Sequence, residues 1–439
     1  MSQEIKEMMN QQEFKQKETG KISKEWDVVT IEEICKVRRG ASPRPIGDPS
    51  FFSHIGRGWI RISDVTETYK FLRKTSQYLS KKGEERSVKV NPGDLIMSIC
   101  ATIGKPIILD MKACIHDGFV WFSELSSKAN VEYLFYVLQK NEITFSSKRQ
   151  TGTQGNLNTT LVGKTLISLP PLPEQQKIAE ILSTVDMAIE KADEAIEKTQ
   201  RVKKGLMQEL LTGRRQTVDS KQDKSKREFK DTEIGRIPKE WEVVRLEDAC
   251  IDITDGSHFS PKEDKKGEFK IATVANIKDD QIDVTSCKKI SKEDYEKLVK
   301  NGCKPKFGDI LFSKDGTVGL SFSFKQNLDI ALLSSIAIIR PKVVMDSDFC
   351  AYVLKSPSVF RQITGSKRGT GLRRIILKDL KRIKIPLPEE FEEQQKIAEI
   401  LNTVDKRLSL LRGRKEKLKR IKKGLMNDLL SGKVRVKVD

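Results

Sequence analysis

Among the residue patterns that could do chemistry, Gly163-Lys164-Thr165 comes nearest to the end of a phosphate-binding loop, in which glycine amides and a lysine cradle phosphates. The glycine that such a loop requires five residues earlier is Asn158, and Gly155 lies too far upstream, so the segment reads as a turn before the strand LISLP. No Asn/Asp-Pro-Pro-aromatic motif of an amino-methyltransferase is present, and no glycine-rich dinucleotide loop follows a strand. The three histidines, His54, His116 and His258, are dispersed and give little basis for a nucleophile–base pair. Asp and Glu are plentiful, so a paired-carboxylate metal nuclease stays open, but no spacing singles out a pair. Seven cysteines (35, 100, 114, 250, 287, 303 and 350) form no CxxC. Neither a disulfide framework nor a zinc site is expected, and no metal is assigned.

The chemistry that the chain does favour is contact with a polyanion. Lys+Arg 81 against Asp+Glu 62 leaves +19, an excess that speaks of partners rather than of fold. Donor-rich, glycine-broken loops are the candidate DNA contacts. RRGASPRP (38–45) offers Arg38, Arg39, Ser42 and Arg44, and its positional partner DITDGSHFS (252–260) offers Ser257 and His258. A second matched pair is SSKRQTGTQGNLN (146–158), with Lys148, Arg149, Gln150, Thr153, Gln154 and Asn156, against GSKRGTGLRR (365–374), with Lys367, Arg368, Thr370, Arg373 and Arg374. Lys314 and Thr317, beside Ser313 and Gly316, form a third candidate. Arg and Lys suit phosphates and guanine, Asn and Gln adenine. Any one such charge is more often a solvated loop residue; the matched positions are what raise the case.

These loops must be held by cores, and 439 residues suffice for two or three domains. No apolar stretch approaches the eighteen residues of a membrane span, and the first twenty residues lack the apolar core of a secretory signal. A reducing cytoplasm is the expected location, with no membrane partner.

The chain repeats itself. GKISKEWDVV (20–29) recurs as GRIPKEWEVV (235–244), and PGDLIMSICATIGK (92–105) lies over FGDILFSKDGTVGL (307–320) at the same offset of 215. At an offset of 219, EQQKIAEILSTVD (174–186) recurs as EQQKIAEILNTVD (393–405) and KKGLMQELLTGR (203–214) as KKGLMNDLLSGK (422–433). A period this long is a duplicated module, not a solenoid. The fold class expected is α+β: a mixed α/β globular domain followed by a long helix, twice over. The division expected is a polar extension (1–19), a first globular domain (20–172), a helix (173–213), a charged linker (214–234), a second globular domain (235–387), a second helix (388–432) and a tail (433–439). Trp26 and Trp241, each opening an apolar strand, read as core.

Heptads mark both helices. Ile178, Val185, Ala192, Thr199 and Leu206 form one seam with Leu182, Ile189, Ile196 and Leu210, and Lys203 is its exception. The second copy has Ile397, Val404, Leu411, Leu418 and Leu425 beside Leu401, Leu408 and Leu429. Paired within one chain, the helices must run antiparallel, with a globular domain at each end and an approximate two-fold axis; exchange between two chains is the alternative. Ile181, Met207, Leu211, Ile400, Met426 and Leu430 fall outside the seam and are candidates for partner docking.

The repeated P-L-P, E-Q-Q-K-I-A-x-I-L-x-x-V-D and K-K-G-L-M-x-x-L-L-[ST]-G segments resemble the specificity (S) subunit of type I restriction–modification systems, over nearly everything from residue 20 to 432. The resemblance implies two target-recognition domains that each read one half of a split sequence in double-stranded DNA. It implies helices that set the spacing and hold two methyltransferase (M) subunits, which restriction (R) subunits join. It also implies a non-catalytic chain without cofactors, with S-adenosylmethionine, ATP and Mg on the partner subunits. Two other readings stay open: a stand-alone DNA-binding helix-pair protein, and an S-like subunit of an enzyme combining cleavage and methylation. Fusion to that enzyme is not expected, because the duplicated module uses the chain length.

Overall fold

The computed structural model describes residues 14–17, 20–23, 25–147, 157–216, 227–365 and 374–438. The chain divides into two compact units, residues 1–192 with 414–439 and residues 193–413.

In the first unit, one five-stranded sheet runs Lys36–Arg39, Phe119–Ser123, Leu95–Ser98, Pro106–Leu109, Phe71–Leu72. A second runs Phe52–Ser53, Gln77–Leu79, Arg57–Ile60, Ala113–Ile115, Val88–Val90. Pairing is mostly antiparallel, with Ala113–Ile115 parallel to Arg57–Ile60 and Pro106–Leu109 parallel to Phe71–Leu72. The strand Leu95–Ser98 is buried at every position. That explains its unbroken apolar run: a strand covered on both faces has no solvent side to alternate with. The helix Val131–Lys140, capped by Asn130 accepting from Tyr133 N–H, packs Tyr133 through Leu138 into the same core as Trp26.

The second unit repeats this plan in shortened form. Its four-stranded sheet runs Cys250–Asp255, Ile336–Pro341, Ile310–Ser313, Ser321–Ser323, the order of the first four strands above. Its three-stranded sheet, Lys288–Ile290, Phe269–Ala272, Ile330–Leu332, matches the three strands from Gln77–Leu79 to Ala113–Ile115. In each unit the strand after the tryptophan pairs with the strand before a long helix, Asp27–Thr30 with Leu166–Leu169 and Glu242–Arg245 with Lys384–Leu387. Trp26 and Trp241 are fully buried.

Each of the helices Leu172–Leu210 and Phe391–Leu429 has 39 residues, about 58 Å at the usual rise. Gly213 and Gly432 stop them with φ of +64° and +67°. Each helix gives one half to each unit. In the first unit Ile178, Ala179 and Leu182 share a core with Met426, Leu429 and Leu430. In the second, Leu210 and Leu211 share one with Ile397, Ala398 and Leu401. The start of one helix thus meets the end of the other, so the pair is antiparallel and formed within the chain. Of the remaining seam residues, Ile189 and Leu408 are buried, while Val185, Ile196, Leu206, Val404, Leu411, Leu418 and Leu425 are half-buried.

The structure revises one expectation for these helices and explains another. Leu211, Met426 and Leu430 are buried against the chain's own domains, and the half-buried Ile181, Met207 and Ile400 pack on the same cores, so these six are not a free docking stripe. Lys203 is no flaw in the seam. Its ammonium pairs with Asp405 Oδ1 (2.6 Å), and Tyr352 Oη donates to Asp405 Oδ2 (2.7 Å). The first unit has the same triad: Lys422 pairs with Asp186 Oδ1 (2.7 Å), and Tyr136 Oη donates to Asp186 Oδ2 (2.8 Å). Burial, with the carboxylate beside each ring, pushes both phenols up, which keeps them as donors.

The motif E-Q-Q has a structural use in both copies. Glu174 accepts from Trp26 Nε1 (3.1 Å) and from Arg435, whose Nε lies 2.6 Å from Oε1. Glu393 accepts from Trp241 Nε1 (3.0 Å) and pairs with Arg227 (2.9 Å). Gln175 and Gln394 each accept from the backbone ahead of a domain helix, Asn130 N and Asp346 N (2.8 and 2.9 Å). The stretches that charge alone marks as extension, linker and tail are therefore used. Phe14–Lys17 and Phe229–Thr232 form hairpins with Gly20–Ser23 and Gly235–Pro238, and Arg227 and Arg435 complete the glutamate sites.

Candidate nucleic-acid interface

In the segment 38–45 the first two residues are strand and the other six are loop. Arg38 and Arg39 end the edge strand Lys36–Arg39, which corrects their placement in a loop. Arg38 is bound by Glu124 and lies 5.8 Å from the Trp121 ring centroid. At the end of the strand and in the loop after it, three of the candidates converge on one residue. Ser42 Oγ donates to Asp117 Oδ1 (2.6 Å), Arg44 Nη2 to Asp117 Oδ2 (3.1 Å) and Arg39 Nε to the Asp117 carbonyl (2.8 Å). The Ser42 hydrogen bond, assisted by the Arg44 charge, holds the Asp117 carboxyl below the usual carboxylate range. Asp117 sits in the turn joining Ala113–Ile115 to Phe119–Ser123, so the sheet itself places this anchor.

Its neighbour His116 accepts from Gly118 N–H at Nδ1 (2.9 Å), which leaves the ring proton on Nε2. Burial pushes its pKa down, keeping the ring neutral near pH 7. The ring packs on Trp59 and edge-on against Phe119, with centroids 5.8 and 4.7 Å away.

The second unit organises its loop with different groups. Asp255, at the end of the strand Cys250–Asp255, pairs with Lys314 Nζ (2.9 Å) and lies 3.3 Å from His258 Nε2. Lys314 is 2% exposed and Ser313 fully buried, so Lys314 is a structural cation and not a DNA contact. Thr317 is exposed, and its carbonyl accepts from Ser313 Oγ (2.5 Å). Ser257 Oγ donates to the Phe259 carbonyl (2.8 Å) and shapes the loop locally. Arg374 pairs with Asp315 Oδ1 (3.2 Å). Lys148, Arg149, Gln150, Thr153, Gln154, Asn156, Lys367, Arg368, Thr370 and Arg373 lie outside the described residues.

Sequence reasoning found the cations of these loops and missed their anchors, Asp117 and Asp255. An isolated Asp in a charge-rich chain carries no spacing signal. Among the described residues no group of His, Cys, Asp and Glu is placed to hold a metal ion, and no helix is long and apolar enough to cross a membrane. All seven cysteines carry free thiols, and six are buried.

Comparison with known proteins agrees with this duplicated plan. The profile of the type I restriction modification DNA specificity domain matches twice, over residues 23–198 and 238–420. The type I restriction enzyme MjaVIII specificity subunit of Methanocaldococcus jannaschii is 27% identical over 99% of this chain and 98% of its own. The putative type I restriction enzyme MjaX specificity subunit of the same organism is 30% identical over 97% and 98%. The crystal structure of a type I restriction-modification system S subunit from M. genitalium has the same fold, with a TM-score of 0.59 at 13% identity over 92% of this chain and 96% of that one. Two profile matches in register with the two structural modules carry the assignment: the chain belongs to the type I restriction–modification specificity family.

Proposed function

We propose that the chain is the non-catalytic, DNA-reading subunit of a type I restriction–modification complex, each module reading one half of a split target. One observation carries the reading. The two units share a sheet framework but anchor their exposed loops with different chemistry: Asp117 with Ser42 and Arg44 in one, Asp255 with His258 and Lys314 in the other. A common framework with divergent loops is what two readers of different sequences need. The +19 charge supplies the sequence-independent part of the affinity.

The same reading assigns the partners. Two methyltransferase subunits dock on the long helices, whose exposed Met187, Val202, Leu410 and Ile421 are available apolar contacts. Restriction subunits join that core, and S-adenosylmethionine, ATP and Mg belong to the partners. The complex works in the cytoplasm.

Co-expression with methyltransferase subunits, followed by mapping of methylated adenines in host DNA, tests this. A split motif is expected. Exchanging residues 20–172 for the same region of a relative should change one half of it. Methylation without the chain, or a continuous motif, would refute the reading.

A further inference from the structure

Beside the Asp117 anchor the first unit has a pocket of about 270 Å³, lined by Ser42, Ile46, Trp59, Arg61, His116 and Asp117 among others. Its walls are of three kinds. Trp59, fully buried, and the half-exposed Ile46 are apolar. Arg61 is exposed, and its Nη1 donates to Gln77 Oε1 at 3.3 Å, so its other guanidinium donors are available to a ligand. His116 presents the protonated Nε2, its Nδ1 being engaged by Gly118 N–H. The third kind is an acceptor: each Asp117 carboxylate oxygen takes one hydrogen bond, from Ser42 or Arg44, and each has a further lone pair.

The corresponding place in the second unit is chemically different. The strand pair Arg57–Ile60 with Ala113–Ile115 corresponds to Phe269–Ala272 with Ile330–Leu332. Trp59 and Arg61 thereby match Ile271 and Thr273, and His116 and Asp117 match Leu333 and Ser334. Thr273 is turned to local capping, accepting from Ala275 N–H (3.2 Å). The framework is kept while the donors and the acceptor are exchanged for apolar and small groups. Exchange of the lining groups at matched sheet positions, where the strand pairing is kept, marks a place that reads the ligand rather than one that holds the fold.

We propose that this pocket reads a G·C base pair in the half-site of the first domain, with Arg61 as the specificity-determining donor and Asp117 as acceptor. The proposal rests on the DNA-reading function above and deepens it. In the major groove a G·C pair presents O6 and N7 of guanine as two adjacent acceptors and N4 of cytosine as a donor. Arg61 answers the acceptors with its planar fork, and Asp117 answers the donor. An A·T pair interleaves its donor between acceptors and leaves the guanidinium facing the adenine amino group. A phosphate is disfavoured, because the Asp117 carboxylate forms part of the wall.

The test uses the full chain, co-expressed with methyltransferase subunits, as wild type, Arg61→Ala and Arg61→Lys, with methylated sites mapped in host DNA. Arg61 is exposed, so both variants should fold, and matched thermal unfolding checks this. The wild type should give a split motif containing at least one G·C pair in the first half. In Arg61→Ala the preference at one G·C position should fall roughly 5- to 150-fold, with the other half unchanged. Arg61→Lys keeps the charge but not the fork, and should relax the same position. Three results would overturn the pocket: an unchanged motif, a uniform loss of methylation with every base preference kept (the signature of a phosphate contact), or relaxation at an A·T pair. A wild type without a split motif would instead refute the proposed function, and the two failures are thereby distinct.

Discussion

The Asp186–Lys422 pair offers the sharpest test of how the helices are held. Asp186 is 3% and Lys422 7% exposed, and Asp186 accepts from Tyr136 (2.8 Å) and Tyr69 (3.1 Å) as well as pairing with Lys422. Replacing it by Ala removes the only carboxylate on that ammonium among the described residues, leaving Lys422 with the Gln139 oxygen (2.7 Å), the tyrosine faces and the repelling charge of Lys70. A buried charge stripped of its partner costs about 3–5 kcal/mol. At 2–4 °C per kcal/mol for a unit of this size, Asp186→Ala should lower the transition of the first unit by roughly 6–20 °C. Lys422→Met should cost less, about 1–3 kcal/mol, because Asp186 keeps two phenolic donors. The double variant Asp186→Leu with Lys422→Met removes both charges together, so its cost should fall well short of the sum of the single changes. Calorimetry of the full chain with urea unfolding of the four proteins reads all three quantities. Additive single costs, or an Asp186→Ala penalty under about 1 kcal/mol, would refute the argument that desolvated charge, and not packing, makes this site costly to break.

Other outcomes follow from the same structure. DNA affinity should fall by orders of magnitude between about 50 and 200 mM salt, since neutralised phosphates release counterions; a flat titration would contradict the role given to the +19 charge. The depressed Asp117 carboxyl makes the anchoring of Ser42 and Arg44 fully present above the ordinary carboxylate pKa of about 4 and lost only as pH falls through its lower folded value. Proteolysis within 40–47 should therefore stay constant from pH 8 to about 5, and Asp117→Ala should raise it across that range. Removing one heptad from each helix, 189–195 and 408–414, keeps the seams in phase and shortens each helix by about 10 Å, near 3 bp of B-DNA. If the helices set the spacing, the preferred gap in a series of substrates should shrink accordingly; an unchanged gap would assign spacing to the partner subunits.

The sequence by itself determined the duplicated module, its two long helices and the pairing seams, because these rest on periodicity: a heptad repeat and a repeated motif are linear signals that survive without coordinates. It also located the tryptophans in the core. It marked Lys203 as a break in the seam, yet the reason lies 202 residues away in Asp405. Likewise the first Glu of E-Q-Q reads as a helix-start charge, and only the fold shows that it receives an indole and a guanidinium from remote segments. Lys314, chosen for its charge beside a glycine, proved buried, because the sequence cannot say which cation has a carboxylate beneath it. Asp117 and the Trp59–Arg61–His116 pocket were invisible for the same reason. Residues that meet through sheet pairing have no fixed spacing in the chain, so tertiary structure alone decides which charges neutralise one another and which are left to face a ligand.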